Sequence, residues 1–411
     1  MNIFTRGTTQ HGRSWRTGAL AAAGCALLTL SACSSGGTTT DAAASDSADS
    51  ADALKVVATT TQICDYVTQI VAGAPGDPSS SLRLHKTAAD GTVTDLGSAH
   101  DDAPVVDLTC ILAPNASAHD HELTRQQMKA FGNAQLLLVS GVDLEHFLDQ
   151  GIESSGFHGT LAVTSGILTA SEVTDLDAEL AKEKDLPYTV FRGSQKVDIA
   201  KWPFPPEEGE SEPEFTYDPH VWTSPKNVEV QVKNIGEALD QVDPDHKKQY
   251  NEAVSNFEAQ LKDLDNWAAQ AFNSVPKEHR VLFTSHDAFG YLSRDYGIDF
   301  IGAALSDFNS QQDATADHIA QAAKEVKDSG AVAIFAENST NPKSIEAVGK
   351  AAGVKVITGE DALYGDSLGP DGSAGQTYIG SIIHNVDQLV TAWGGTVPPL
   401  PNPLKAYAPA K

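Results

Sequence analysis

The sequence predicts an α/β protein, because short apolar strands alternate with amphipathic helices through most of its 411 residues. The clearest alternation runs over 280–357, where strands and helices follow one another in the β-α-β-α-β-α-β order that is typical of a parallel sheet. A second alternation runs over 54–164. A chain of this length can build two lobes, each with a core of its own.

Residues 1–32 are predicted to be an export signal. Arginines without acidic residues come first, and the mostly apolar run that follows is too short to span a bilayer permanently. It ends in Leu-Ser-Ala-Cys, which resembles the lipobox of bacterial lipoproteins and implies cleavage before Cys33 and acylation of its thiol. The alternative is an ordinary secretory signal with an incidental cysteine. Residues 33–53 have no large apolar side chain and are predicted to be a flexible tether.

The charge of the chain narrows its possible partners. There are 28 basic and 55 acidic residues, so the formal net charge is −27. Nucleic acid is a poor partner for such a surface, and cations are plausible ones. The same excess of charge also serves solubility, and we expect a monomer.

Cysteine usage predicts one disulfide. The chain has 4 cysteines, of which Cys25 leaves with the signal and Cys33 carries the lipid. Cys64 and Cys110 remain as an even pair in an oxidising compartment, so we expect a bond between them. The sequence has no Cys-x-x-Cys spacing that would indicate a thiolate metal site.

One long helix is predicted over 245–272. Apolar residues recur there at steps of three and four, and glycine is absent. The helix would be about 40 Å long, enough to cross a whole protein, and Pro276 ends the pattern. Two stretches fit no regular pattern: 75–104 is interpreted as an insertion with a small hairpin, and 182–217 as a long acidic loop.

His220 lies in the most restrained stretch of the chain, Asp218-Pro219-His220-Val221-Trp222. Proline fixes its own φ and favours an extended residue before it, so the backbone that enters His220 is stiff. Val221 and Trp222 offer apolar surface behind the ring. An imidazole held in this way loses little entropy when it binds a cation. The alternative is an ordinary core histidine that Asp218 satisfies.

Three further loops carry candidate metal ligands, and each follows a predicted strand, where parallel sheets bind their ligands. The first offers His119 or His121, and the second offers His286. The third is the Gly-rich loop 359–375 with its acidic residues. Three imidazoles and a carboxylate form a good ligand set for zinc. Imidazoles bind metal only when neutral, so affinity is expected to fall below about pH 6.5.

These loops resemble the motifs of the zinc- and manganese-binding lipoproteins that feed ABC transporters, often called cluster A-I solute-binding proteins. NASAHDHELT at 115–124 is similar to the family's NADPHDYEPT, which places His119 on the ligand position and His121 on the family's Tyr. DPHVW matches the family's DPHxW in full, and HDAFGYLSRDYG is similar to HDAFGYFxxxYG. The stretch LYGDSLG, with TYIG and HN after it, is similar to the last motif and favours Asp366 over the neighbouring acids Glu360 and Asp361.

The resemblance implies two α/β lobes, 54–244 and 274–411, each with a parallel sheet flanked by helices and joined by one long helix at 245–273. The cleft between the lobes would hold a metal ion. The implied ligands are His119, His220, His286 and Asp366. Because Ala118 replaces the proline that usually precedes the first ligand, the choice between His119 and His121 stays open.

The implied function is to capture zinc outside the membrane and to deliver it to an ABC permease. A manganese carrier of the same fold is one alternative, and manganese-binding members often carry Glu where this chain has His286. A zinc hydrolase of the envelope and an adhesin are alternatives of another class. The sequence has no HExxH or GxSxG motif that would favour an enzyme. We therefore expect that the protein has no enzymatic activity. Some zinc-specific members have a His-rich loop before the second ligand, whereas 182–217 contains no His.

Overall fold

The computed structural model describes residues 53–119, 121–204, 213, 215–304 and 315–408. The predicted export signal, Cys33, almost all of the predicted tether and the acidic run 207–212 lie outside this part of the chain. Two β-sheets organise the described residues, one of seven strands and one of four. In sequence order the strands are β1 (Leu54–Ala58), β2 (Arg83–Thr87), β3 (Val93–Gly97), β4 (Val105–Cys110), β5 (Leu136–Val139), β6 (Thr160–Val163), β7 (Thr189–Phe191), β8 (Val281–Thr284), β9 (Asp299–Ala303), β10 (Ala333–Phe335) and β11 (Lys355–Ile357).

The order of the first sheet is β3-β2-β4-β1-β5-β6-β7, and that of the second is β11-β10-β8-β9. Neighbouring strands pair in parallel in both sheets, except that β3 runs antiparallel to β2. Helices flank the strands, as parallel sheets require. They are α1 (Thr61–Ala72), α2 (Arg125–Asn133), α3 (Leu148–Ser155), α4 (Ser171–Thr174), α5 (Leu176–Glu183), α6 (Pro225–Val242), α7 (Lys247–Asn273), α8 (Gly290–Tyr296), α9 (Ala316–Ser329), α10 (Lys343–Ala352) and α11 (Tyr378–Ala392).

Helix α7 confirms the long helix predicted from the apolar steps. It has 27 residues and so runs for about 40 Å. Its buried side chains face α1 and α6 on the side of the first sheet and α11 on the side of the second. Trp267, near its end, donates an indole N–H to the Pro398 carbonyl oxygen at 2.9 Å. The helix therefore packs against elements that flank both sheets.

The stretch 75–104, interpreted from the sequence as an insertion, forms part of the first sheet. Its two strands form the expected hairpin, and β2 also pairs in parallel with β4 over five residues. Leu82 and Leu84 are buried in the main core, which explains why the hairpin stays on the sheet. Strand β3 forms the outer edge, and its Val93 and Leu96 are exposed.

The elements that were not predicted include one strand within the stretch 182–217 and one helix just after it. Strand β7 lies in the presumed acidic loop and adds a seventh strand beside β6. Helix α6 begins at Pro225, a residue suited to the first helical position, and the Ser224 hydroxyl accepts a hydrogen bond from the Asn227 N–H. Its apolar side chains at 228, 232, 235 and 239 are buried against α7 and the first sheet.

The predicted disulfide between Cys64 and Cys110 is confirmed. It joins the first turn of α1 to the end of β4, with the two Cα atoms 5.6 Å apart. Strand β4 leads into the loop that carries His119, so the bond ties α1 to this end of the sheet. Among the described residues, no helix has the combination of length and apolar character that crossing a bilayer needs.

Candidate metal centre

The structure brings four of the predicted side chains into one buried group. His119 follows β4, His220 precedes α6, His286 follows β8 and Asp366 lies in the loop after β11. Their exposed fractions are 5%, 0%, 4% and 4%, respectively. One donor atom from each lies within 4.8 Å of all the others. The loops at the carboxyl ends of strands in both sheets thus meet at one point, as ligand sites of parallel sheets do.

The imidazoles of the group all direct Nε2 toward the Asp366 carboxylate. One oxygen, Oδ1, lies 3.4 Å from the Nε2 atom of His220 and 3.3 Å from that of His286. The other, Oδ2, lies 3.5 Å from the Nε2 atom of His119. The Nε2 atoms of His119 and His220 are 3.2 Å apart. These separations place three imidazole nitrogens and both carboxylate oxygens around one small volume.

His220 is held by its own motif. The Asp218 carboxylate is 2.8 Å from its Nδ1 atom and also accepts the His220 backbone N–H at 2.9 Å. This contact fixes the proton on Nδ1 and leaves Nε2 as the basic nitrogen. Tyr291 donates its hydroxyl to the Asp218 carbonyl oxygen at 2.7 Å. The glycine at 290 leaves room for this carboxylate, because a Cβ atom there would crowd Asp218 Oδ2.

Asp287 contacts His286 rather than capping the next helix. Its carboxylate is 3.3 Å from His286 Nδ1, on the side of the ring away from Asp366. Helix α8 begins at Gly290 and has no side-chain cap, so Asp287 does not cap it. Burial raises the pKa of Asp287 to about 6, and the nearby His286 acts against that rise.

Electrostatics bind the Asp366 carboxylate to His286. Burial alone would raise the pKa of Asp366, but the imidazoles of His286 and His119 hold it well below its usual range. Burial likewise opposes a charged His286, yet the Asp366 carboxylate outweighs it and raises the His286 pKa to about 10. His119 differs, because burial lowers its pKa. In the metal-free protein, His286 and Asp366 therefore form an ion pair.

Side chains from the part of the chain that precedes α7 hold the loop that carries Asp366. Ser117 donates its hydroxyl to Asp366 Oδ2 at 2.7 Å, and Gln62 donates Nε2 to the Asp366 carbonyl oxygen at 3.0 Å. The Trp222 indole N–H donates to the Gly365 carbonyl oxygen at 2.8 Å. These residues belong to three separate segments, so no local pattern in the sequence indicated that they hold this loop.

Aromatic residues from the presumed acidic loop cover the imidazoles. The ring of Phe215 is 5.9 Å from that of His119, and the ring of Trp202 is 6.0 Å from that of His220. The two aromatic rings are 5.4 Å apart. They exclude water and lower the dielectric around the group, which strengthens its electrostatic interactions. The only sequence signal for this cover was the presence of aromatic residues in an otherwise polar stretch.

The competing candidates lie outside the group. His121 contacts Gln127 at 3.2 Å and packs edge-on against Phe147. Glu360 and Asp361 are exposed in a short 3-10 helix. His384, in the HN of the last motif, hydrogen-bonds to the Ala362 carbonyl oxygen at 3.0 Å.

The fold and the buried group together define a class: α/β proteins of two sheets whose loops meet at a buried group of potential metal ligands. The chain belongs to the family described as zinc-uptake complex component A, periplasmic, whose model matches residues 99–392. This membership confirms the predicted resemblance to metal-binding solute-binding proteins of ABC transporters.

Relatives from several bacteria share much of the chain. The zinc-binding protein TroA of Treponema pallidum is 28% identical over 289 residues, which cover 70% of this chain and 82% of TroA. The manganese ABC transporter substrate-binding lipoprotein PsaA of Streptococcus anginosus is 23% identical, over 79% of this chain and 94% of PsaA. The iron-binding protein YfeA of Yersinia pestis is 27% identical, over 78% of this chain and 90% of YfeA.

Solved structures have the same fold. The periplasmic zinc-binding protein TroA from Treponema pallidum superimposes with a TM-score of 0.57 and 24% sequence identity, covering 82% of this chain and 98% of TroA. A manganese-bound periplasmic metal-binding protein from Candidatus Liberibacter asiaticus gives a TM-score of 0.57 at 18% identity, with 82% and 99% covered. These likenesses confirm the two-lobe α/β fold.

Proposed function

We propose that this protein is the extracytoplasmic solute-binding component of an ABC transporter, and that it captures zinc and delivers it to the permease. His119, His220, His286 and Asp366 are its ligands in this proposal. The walls of the site are the lobes 54–244 and 274–411, and 245–273 is the helix between them. Acylation of Cys33 would anchor the monomer to the outer face of the cell membrane.

One observation carries the proposal. Zinc prefers four ligands in a tetrahedron at about 2.0–2.1 Å, so neighbouring donor atoms around it are about 3.4 Å apart. Four of the donor pairs in the group are separated by 3.2, 3.3, 3.4 and 3.5 Å. These pairs, which involve the three Nε2 atoms and both oxygens of Asp366, are close to the spacing that a tetrahedral ion needs, and small shifts of the side chains would bring one carboxylate oxygen into the tetrahedron.

The donor types support zinc over manganese. The relatives named above are described as binding zinc, manganese or iron, so kinship alone does not decide the metal. Imidazole nitrogen suits zinc, whereas manganese prefers more oxygen donors and a higher coordination number. Three imidazoles and one carboxylate supply few oxygens. The donor set therefore favours zinc, and manganese is expected to bind more weakly.

The closed set of donors also supports a carrier over an enzyme. A catalytic zinc has three protein ligands and keeps a position for water, whereas four protein ligands complete a tetrahedron. The relatives' descriptions are of binding and transport proteins. Hydrolysis of esters or peptides that increases in proportion to bound zinc would overturn this part of the proposal.

The test is metal binding by the purified mature protein. After removal of metal with a chelator, it should take up about one zinc ion per chain and bind zinc more tightly than manganese in competitive titration. The His220→Ala variant, tested beside it, should lose this binding. Failure of the wild-type protein to bind zinc, or unchanged binding by the variant, would contradict the proposed site.

A further inference from the structure

Glu337 is a buried carboxylate whose place in the site the sequence did not indicate. It follows β10, and its exposed fraction is 2%. Its Oε1 atom accepts the backbone N–H groups of Gly365 and Asp366, both at 3.0 Å. Its Oε2 atom accepts the backbone N–H of Ser339 at 2.9 Å and the Ser339 hydroxyl at 2.6 Å. Both oxygens are thus fully engaged by hydrogen-bond donors.

The same residue is also tied to the loop that carries His286. The Glu337 backbone N–H donates to the Ser285 hydroxyl oxygen at 2.8 Å, and Ser285 directly precedes His286. Asn338, the next residue, donates its side-chain amide to Asn115 at 2.7 Å and to the Ser367 carbonyl oxygen at 3.1 Å. Glu337 therefore lies between two of the loops that form the metal site.

We propose that Glu337 is the positioning residue of the metal site: it fixes the backbone at Gly365 and Asp366 so that the Asp366 carboxylate faces the imidazoles. The inference rests on the proposed function, because it assumes that Asp366 is a ligand. Glu337 itself does not contact the ion. It acts through the loop, and groups that orient a ligand in this way commonly contribute about 10–100-fold to metal affinity.

The arrangement requires a carboxylate rather than an amide. Four N–H or O–H groups point at the two oxygens, and only an ionised carboxylate can accept from all of them. A glutamine at 337 would direct its NH2 group either at the two loop N–H groups or at Ser339. In both orientations two hydrogen-bond donors would face each other. Gly365 makes the close approach possible, because a Cβ atom there would lie 2.7 Å from Glu337 Cγ.

Glu145 provides a matched control for a merely structural role. It is also a buried carboxylate, with an exposed fraction of 7%. It accepts the backbone N–H groups of Ser140 at 2.6 Å and Gly141 at 3.1 Å, and the Thr59 hydroxyl at 2.7 Å. None of these donors belongs to a proposed ligand or to its neighbour in the chain. Glu145→Gln therefore removes a similar buried clamp without touching the Asp366 loop.

The experiment compares wild-type, Glu337→Gln and Glu145→Gln mature protein. Zinc affinity is measured by competition with a chelator, and the stability of each metal-free protein by thermal unfolding. Glu337→Gln should lose about 10–100-fold in zinc affinity, and Glu145→Gln should stay within about threefold of wild type. Cobalt(II), used as a spectroscopic probe, should give a changed visible absorption spectrum in Glu337→Gln only, because the ligand geometry changes.

A second variant covers the case in which Glu337→Gln fails to fold. Gly365→Ala keeps the carboxylate but pushes the loop away from it, so it should also weaken zinc binding and alter the cobalt spectrum. Equal affinities and equal spectra in wild type and in the folded variant at 337 or 365 would overturn the inference, as would equal losses in the Glu145 control. A wild-type protein that binds no zinc would instead overturn the proposed function.

Discussion

Zinc binding should release a proton from His286. Because the Asp366 carboxylate raises the pKa of His286 to about 10, this imidazole is protonated in the metal-free protein at neutral pH. A protonated imidazole cannot bind metal, so zinc must displace the proton. The expected pH dependence therefore extends well above the value of about 6.5 that an unperturbed histidine would give.

The size of the effect follows from the exchange of one proton. Between pH 7 and 9, where His286 is protonated without metal, the apparent association constant for zinc should rise about tenfold per pH unit, or about a hundredfold in all. The rise should level off near pH 10.

The stability of the metal-free fold should change in the opposite direction. A raised pKa stabilises the fold below the unfolded pKa of about 6.5, and this contribution is lost as the pH rises through about 10.

Chelator-buffered zinc titrations at constant ionic strength would measure the slope. Calorimetry in two buffers of different ionisation enthalpy would count the protons, and about one should be released at pH 7.5. His121→Ala is the control, because this histidine lies outside the group, against Gln127; its slope should match the wild type. A flat affinity between pH 7 and 9 with no proton released would refute the ion pair between His286 and Asp366.

Three further predictions concern single features. His220→Ala should weaken zinc binding by more than about a hundredfold, and His121→Ala by less than about threefold; equal losses in competitive titration would show that the first ligand is misplaced. His286→Glu should narrow the preference for zinc over manganese, because a carboxylate suits manganese better than an imidazole does. An unchanged ratio of the two dissociation constants, with circular dichroism showing an intact fold, would contradict this reasoning. Removing the Cys64–Cys110 bond, which spans a sequence separation of 46, by a double Ala substitution should lower the free energy of unfolding by about 4 kcal/mol. Urea unfolding measures this change, and a loss below about 1 kcal/mol would argue against it.

The elements with strong local periodicity could be predicted from the sequence. Helix α7 was expected at 245–272 and is found at Lys247–Asn273, because its apolar steps continue without interruption. The strands of the second sheet were also expected, since each is a short apolar run between helices. In these segments the side chains that pack the core are close together in sequence, so a local pattern carries the information.

Elements that depend on distant partners could not be predicted in the same way. Strand β2 reads Arg-Leu-His-Lys-Thr, with a single apolar residue, Leu84, and it is stabilised by pairing with β4 and β3. Strand β7 has only three residues and depends on β6. Helix α6 is different, because Ser224 and Pro225 mark its start and its apolar residues recur at helical steps. The sequence therefore carries a local signal for this helix.

The candidate site also contains residues that a local motif indicates and residues whose roles depend on distant partners. The motifs around His220 and His286 indicated ligands, but the choice between His119 and His121 needed the fold, which turns one toward Asp366 and the other toward Gln127. The clamp by Glu337 left no local trace, because the two loop N–H groups that it accepts lie 28 and 29 residues further along the chain. That the four grouped side chains bind metal stays a prediction.

Diffraction at the zinc absorption edge tests the central claim most directly. Crystals of the mature protein grown with equimolar zinc should show one anomalous peak inside the buried group. The peak should lie about 2.0–2.1 Å from the Nε2 atoms of His119, His220 and His286 and from an oxygen of Asp366. An empty group, or a peak found only on exposed histidines such as His85 or His158, would contradict the account.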